Sequence, residues 1–255
     1  ANDVKEKYGK FPDYVLTTHA GGGNITGTKR GLIQAGAKDT KVIGVSVDLR
    51  GLHMASDRDF NRKSFTTGHT GFGVPFLVKP DRTDVPRNAA RALRYIDDYF
   101  LVSQGEVFYT TILLAQIEGL ERGPAGNTAL SAAIPFATKI PEDKIVVVQE
   151  TEYTGAGKHP YAQLTFAREM GVEVIKGDPK DNIPGKRIVI PEDVENLRYE
   201  EMDMNEIKIS YLNHNIKNIQ EITKDDLNFL KEEVNEVESD FVERFLYEKG
   251  VKING

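Results

Sequence analysis

Two rhythms of apolar positions run along the chain. Tyr14-Val15-Leu16-Thr17-Thr18 is a run of strand formers that stops in a glycine cluster, Thr28 to Ala37 has helical spacing, and Lys41-Val42-Ile43-Gly44-Val45-Ser46-Val47 is a second strand. A strand, a loop, a helix and a strand in that order make a crossover unit. The nearly unbroken apolar character of the second strand suits a parallel sheet covered on both faces. Tyr99 to Val102 predicts another strand. Glu106 to Glu118 predicts a helix with Val107, Ile112, Leu113 and Leu114 at helical spacing. Beyond a second glycine-rich turn, Gly123-Pro124-Ala125-Gly126-Asn127, the Ala-rich stretch Thr128 to Thr138 predicts a closely packed helix that Pro135 should end or kink. The strand Ile145 to Val148 follows. Tyr161 to Met170 is a weaker helix, and Thr223 with an acid three residues on opens a capped one.

The pattern predicts an α/β fold, a mostly parallel sheet covered by helices, over residues 1–160, with a C-terminal α/β appendage over residues 161–255. Between Leu49 and Pro86 the rhythm is lost and glycines and prolines punctuate the chain. That stretch is too long for an idle connection and is expected to carry function.

Composition narrows the function. The chain has 255 residues, a formal net charge of −6 and no cysteine, so disulfides, thiolate nucleophiles and cysteine-held metals are excluded. The acidic balance argues against general nucleic-acid binding. No apolar run approaches a membrane span and the N-terminus has no apolar leader segment, so the expected location is cytoplasmic. Charge is uneven: residues 50–94 carry nine Lys/Arg against four Asp/Glu, whereas residues 192–248 carry seventeen Asp/Glu against six Lys/Arg. No His/Asp/Glu spacing has the form of a metal site.

The sharpest chemical signal is Gly21-Gly22-Gly23-Asn24 between a strand and a helix. Glycines there let backbone N–H groups approach an anion, and the positive end of the helix favours it, so a phosphate is the natural ligand. A tight turn without ligand is the plain alternative. A dinucleotide site, with Asp48 ending the next strand where a ribose-binding acid would fall, fails because Thr26 stands where that fingerprint needs Gly or Ala. His53, His69, Arg50, Arg58, Arg62 and Lys63 cluster in the irregular stretch, where they could grip a substrate carboxylate or the phosphates of a cofactor; a solvated loop face gives the same pattern. His19 is either a neighbour of a bound ring or an ordinary hydrogen-bonded histidine.

Three segments in this order resemble the fold-type-II pyridoxal-phosphate enzymes, the family of threonine synthase, cysteine synthase and tryptophan synthase β. Gly21-Gly22-Gly23-Asn24 resembles their phosphate cup, Glu121 to Ala129 their second glycine-rich helix opening, and Thr154-Gly155-Ala156-Gly157-Lys158 the closing motif of threonine synthases. The resemblance implies a hydroxyl hydrogen-bonded to the pyridine nitrogen, with Thr154 at the matching position and Thr151 as its alternate. A threonine capping a glycine turn accounts for the same local sequence. It also implies a Schiff-base lysine far upstream of the cup. Lys5, Lys7, Lys10 and Lys158 do not fit that role, so no catalytic residue is expected in this chain, and an N-terminal half of the enzyme is expected as its partner.

Over Thr17 to Gly157 the chain is also similar to the family of 2-amino-4-oxopentanoate thiolase β subunits. Thr18 to Asn24, Gly51 to Asp57, Ser64 to Gly73 and Gln149 to Gly155 carry the likeness. That resemblance implies pyridoxal phosphate as cofactor and coenzyme A as co-substrate. The implied reaction is thiolysis to alanine and acetyl-CoA in ornithine fermentation, with a thiolase α subunit as partner in an oligomer. Threonine-synthase-like or ammonia-lyase chemistry, and a non-catalytic phosphate- or nucleotide-binding module, are the alternatives.

Overall fold

The computed structural model describes residues 1–19, 21–50, 58–61, 89–150, 159–236 and 239–254. Helix α1 (Asn2–Tyr8) leads into strand β1 (Tyr14–Thr18), helix α2 (Gly23–Gln34) and strand β2 (Lys41–Val47). Strand β3 (Asp98–Val102), helix α3 (Gln104–Glu118), helix α4 (Thr128–Ala137) and strand β4 (Val146–Gln149) follow. The remainder comprises α5 (Pro160–Glu169), β5 (Glu173–Lys176), β6 (Arg187–Ile190), β7 (Glu200–Glu201), α6 (Met204–Asn215), β8 (Glu221–Thr223), α7 (Lys224–Glu233), α8 (Phe241–Glu248) and β9 (Lys252–Asn254).

The central sheet has the order β4-β1-β2-β3-β7, parallel except for β7. Alternation within the strands sorts its core into two layers. Val15, Val42, Tyr99 and Leu101 point to one face, where Ile25 and Leu32 of α2 cover them. Leu16, Ile43, Val45, Phe100 and Val102 point to the other, against Phe108 of α3, Ala132 and Phe136 of α4 and Leu164 of α5. Apolar cover on both faces is why these strands lack a polar alternation. Leu212, Leu230 and Leu246 from α6, α7 and α8 join the first layer, so these C-terminal helices share a core with β1 and α2. Gly105 lets α3 lie against β6, because a Cβ there would fall on the Val189 carbonyl oxygen.

Element boundaries differ from the sequence expectation in instructive places. Helix α2 begins at Gly23, five residues before the expected Thr28, because burial of Ile25 and Thr26 outweighs the poor helix propensity of the glycines. It ends at Gln34, and Gly36 at φ 82° turns the chain out. Helix α4 runs two residues past Pro135. The cap at Thr223 is present as expected, its hydroxyl accepting from the Asp226 amide at 3.1 Å.

Candidate functional site

The strand order makes β1 the place where the sheet changes direction: β2 and β3 lie on one side of it and β4 on the other. In open parallel sheets the crevice beyond the carboxyl ends at such a point is where ligands bind. The glycine loop leaves β1 there. Gly22 caps α2 at φ 80°, a conformation that favours glycine, and a Cβ on it would meet Ala92 Cβ at 2.8 Å. Ala92 belongs to the 3-10 turn Ala89–Tyr95, so glycine at 22 is required both by its dihedral angle and by this close approach. Thr26 donates the first bond of the helical ladder, to the Gly22 carbonyl at 3.1 Å. The amides of Gly23, Asn24 and Ile25 precede it and have no partner within the helix. Gly23 and Asn24 are exposed, and the first turn holds no acidic side chain that would repel an anion. The Thr26 hydroxyl is buried without a hydrogen-bond partner among the described residues.

Strand β4 brings a second polar group to the same edge. Its register sets Thr17 beside Gln149. The Gln149 Oε1 accepts from the hydroxyls of Thr17 and of Thr28 on α2, each at 2.8 Å, tying the end of β4 to both β1 and α2. Glu150, one residue on, meets the amide of Asn127, the buried residue that caps α4. Burial pushes the Glu150 carboxyl up to about 7, against the pull of the Arg122 cation.

The second glycine-rich turn is built differently. Gly126 and Asn127 donate their amides to Gly123 O, Thr128 donates to Ala125 O, and the Ala129 amide donates to the Thr18 hydroxyl at 3.2 Å. Of the three amides that precede the first ladder bond of α4, from Ser131 to Asn127 O, those of Thr128 and Ala129 are thereby taken by its own chain and by β1.

Of the residues singled out in the sequence, Gly21, Gly22, Gly23 and Asn24 lie together at the mouth of the crevice. Thr151, Thr154, His53, Arg62 and His69 lie outside the described residues. Arg58 is described, and its guanidinium bridges Asp48 at 2.9 Å and Glu200 at 2.9 Å. Those carboxylates raise its pKa, and Asp48 serves this ion pair. His19 is buried in a box with Phe60 and Tyr99, its Nδ1 3.1 Å from the Tyr99 hydroxyl, as an ordinary hydrogen-bonded histidine would be. Among the described residues no group of three His, Cys, Asp or Glu could hold a metal ion, and no helix is long and apolar enough to cross a membrane. Asn127 and Glu150 lie in segments that carry the family likeness but have no assigned role there, because the contact that gives them one joins positions 23 residues apart.

Comparison with known proteins bears on this geometry. The family model described as pyridoxal-phosphate dependent enzyme matches residues 1–151. A curated 2-amino-4-ketopentanoate thiolase beta subunit from an unknown prokaryotic organism is 58% identical over 252 residues, 98% of this chain and 53% of that protein. The protein of the same name from Acetoanaerobium sticklandii is 53% identical over 235 residues, 91% of this chain and 50% of that protein. The chain therefore spans about half the length of these relatives. Among solved structures, a fungal L-serine ammonia-lyase from Rhizomucor miehei is matched at 18% identity with a TM-score of 0.44, over 66% of this chain and 53% of the other. With its family matched over more than half its length, the chain belongs to the pyridoxal-phosphate dependent enzymes.

Proposed function

We propose that residues 1–160 of this chain form the cofactor-phosphate-holding part of a 2-amino-4-oxopentanoate thiolase β subunit, with residues 161–255 as its C-terminal appendage. The observation that carries the reading is the open start of α2: the Gly23, Asn24 and Ile25 amides outside the helical ladder, at the crevice beside β1. These features fit a phosphate ester, since Gly22 leaves the backbone bare and the helix end supplies both donors and positive potential. The names of the two relatives supply the substrate class and, through the word beta, an α subunit as partner.

In the proposed reaction the thiol sulfur of coenzyme A bonds to the C4 carbonyl carbon of 2-amino-4-oxopentanoate. The C3–C4 bond breaks, and C3 takes a proton to become the methyl of alanine, leaving acetyl-CoA. Pyridoxal phosphate, when bound, supplies an electron sink for the negative charge that develops on the amino-acid fragment. This chain's part is to hold the phosphate on the Gly21–Asn24 loop, to brace the crevice through Gln149, and to present Thr154, or Thr151, to the pyridine nitrogen. His53, Arg58, Arg62 and His69 are proposed on the substrate side, with Arg58 acting through its bridge to Asp48 and Glu200. The lysine that carries the cofactor is proposed to lie in a further N-terminal segment, and the whole to work as a cytoplasmic oligomer.

The test is reduction with borohydride in the presence of pyridoxal phosphate, with coenzyme A thiolysis assayed alongside. The chain alone should show no stoichiometric labelling of a lysine and no thiolysis, and the complete β subunit with its α subunit should show both. Stoichiometric labelling of one lysine in this chain, or an inert complete enzyme, would contradict the proposal.

A further inference from the structure

The end of β4 carries chemistry that phosphate holding does not use. Asn127 is buried between Thr111 of α3 and Glu150. With Nδ2 toward Glu150 the amide donates to the carboxyl oxygens at 3.1 and 2.8 Å, while its Oδ1 accepts from the Thr111 hydroxyl at 3.1 Å. An acceptor-only, ionised carboxylate matches this donor with both of its oxygens. Turned about its last bond, the amide instead donates from Nδ2 to Thr111 Oγ1 at 3.1 Å, and the Thr111 hydroxyl donates to the Val107 carbonyl at 2.7 Å. Oδ1 then faces the Glu150 carboxyl, which can bond it only by donating an O–H, so this arrangement requires the protonated acid. In each arrangement both ends of the buried Asn127 amide have a partner, which matters because an unsatisfied buried amide costs about 1–3 kcal/mol.

We infer that Glu150 is a proton-holding group of the candidate site and that Asn127 is the positioning residue that accommodates its charged and neutral forms by turning its amide. The inference rests on the proposed function only for the use to which the proton is put. The surroundings suit the assignment. Arg122, in the loop before α4, pulls on Glu150 against its burial, and α1 brings Asp3 to the cavity that Glu150 lines. Helices α3 and α4 contribute uncharged partners, Thr111 and Asn127. The neighbouring strand β1 ends in the uncharged Thr17 and Thr18. A carboxyl so placed changes charge near neutral pH, where an ordinary glutamate is ionised throughout.

The experiment is an NMR titration of the full chain, from about pH 5 to 9, with labelled glutamate carboxyl carbons and asparagine side-chain amides. One carboxyl signal, absent in Glu150→Gln, should titrate near neutrality. The Asn127 amide signals, identified by their loss in Asn127→Ser, should move with the same midpoint. In Glu150→Gln the new amide donates to Asn127 Oδ1 as the protonated acid would, so the Asn127 signals should stay at their low-pH positions throughout. Titration of Glu150 in the ordinary glutamate range, or an Asn127 amide indifferent to it, overturns the inference, and the unmodified chain decides this even if the variant fails to fold. In the complete enzyme, Glu150→Gln should remove a limb near neutrality from the pH profile of kcat/KM, and an unchanged profile removes Glu150 from the site's chemistry. A wild-type enzyme without thiolysis would instead sink the proposed function and leave the titration result standing.

Discussion

The starts of α2 and α4 are both glycine-rich turns that open a helix beside β1, and in sequence either could cradle a phosphate. The structure separates them by what their amides do. At α4 the amides of Gly126, Asn127, Thr128 and Ala129 are taken by Gly123, Ala125 and Thr18. At α2 those of Gly23, Asn24 and Ile25 precede the first ladder bond and have no such partners among the described residues. A glycine-rich helix start can receive an anion only where the chain leaves its donors free, and glycine content alone does not tell the two cases apart.

The largest effect should come from Gly22→Ala, which forces a side chain into φ 80° and sets its Cβ 2.8 Å from that of Ala92. Strain and overpacking together predict a loss on the order of 2–4 kcal/mol in urea unfolding. A wild-type midpoint would show that the approach of Ala92 to the loop is not a constraint. Thr18→Val attacks the closed start: it leaves the Ala129 amide without its acceptor, and the expected loss is roughly 1–3 kcal/mol. This variant sharpens the comparison, because it opens the start of α4. Added phosphate should then shift the Ala129 amide signal in the variant and leave it unmoved in the wild type.

A smaller effect follows from Glu150. Its folded carboxyl is raised from 4.5 to about 7, so the native state binds more protons than the unfolded one between those values. Stability should therefore fall as pH rises through that window, by on the order of 1 kcal/mol once solvent screening is discounted, and Glu150→Gln should flatten the slope. A slope unchanged by the substitution would show that Glu150 titrates elsewhere. The smallest effect belongs to Gly23→Ala, where a Cβ meets nothing within 4 Å. Stability should change by less than about 1 kcal/mol, in contrast with its neighbour Gly22.

Much of this was legible in the sequence. The strand run Tyr14–Thr18, the glycine turn and the strand Lys41–Val47 lie where the periodicity puts them, because two-sided burial in a parallel sheet writes an unbroken apolar run. The early start of α2 was not legible, since it depends on Ile25 and Thr26 being buried by distant elements. Nor was the closing of α4 by Thr18, a hydrogen bond across 111 residues. Asn127 and Glu150 belong to the same class: each is unremarkable in its own segment, and their chemistry exists only through the contact that the sheet topology creates.

The most direct test of the central claim is an amide NMR titration of the chain with inorganic phosphate and with pyridoxal phosphate. Saturable shifts should centre on the amides of Gly23, Asn24 and Ile25, weaken with added salt, and spare Gly126 to Ala129. Shifts centred on the start of α4, or none at the start of α2, would contradict the account.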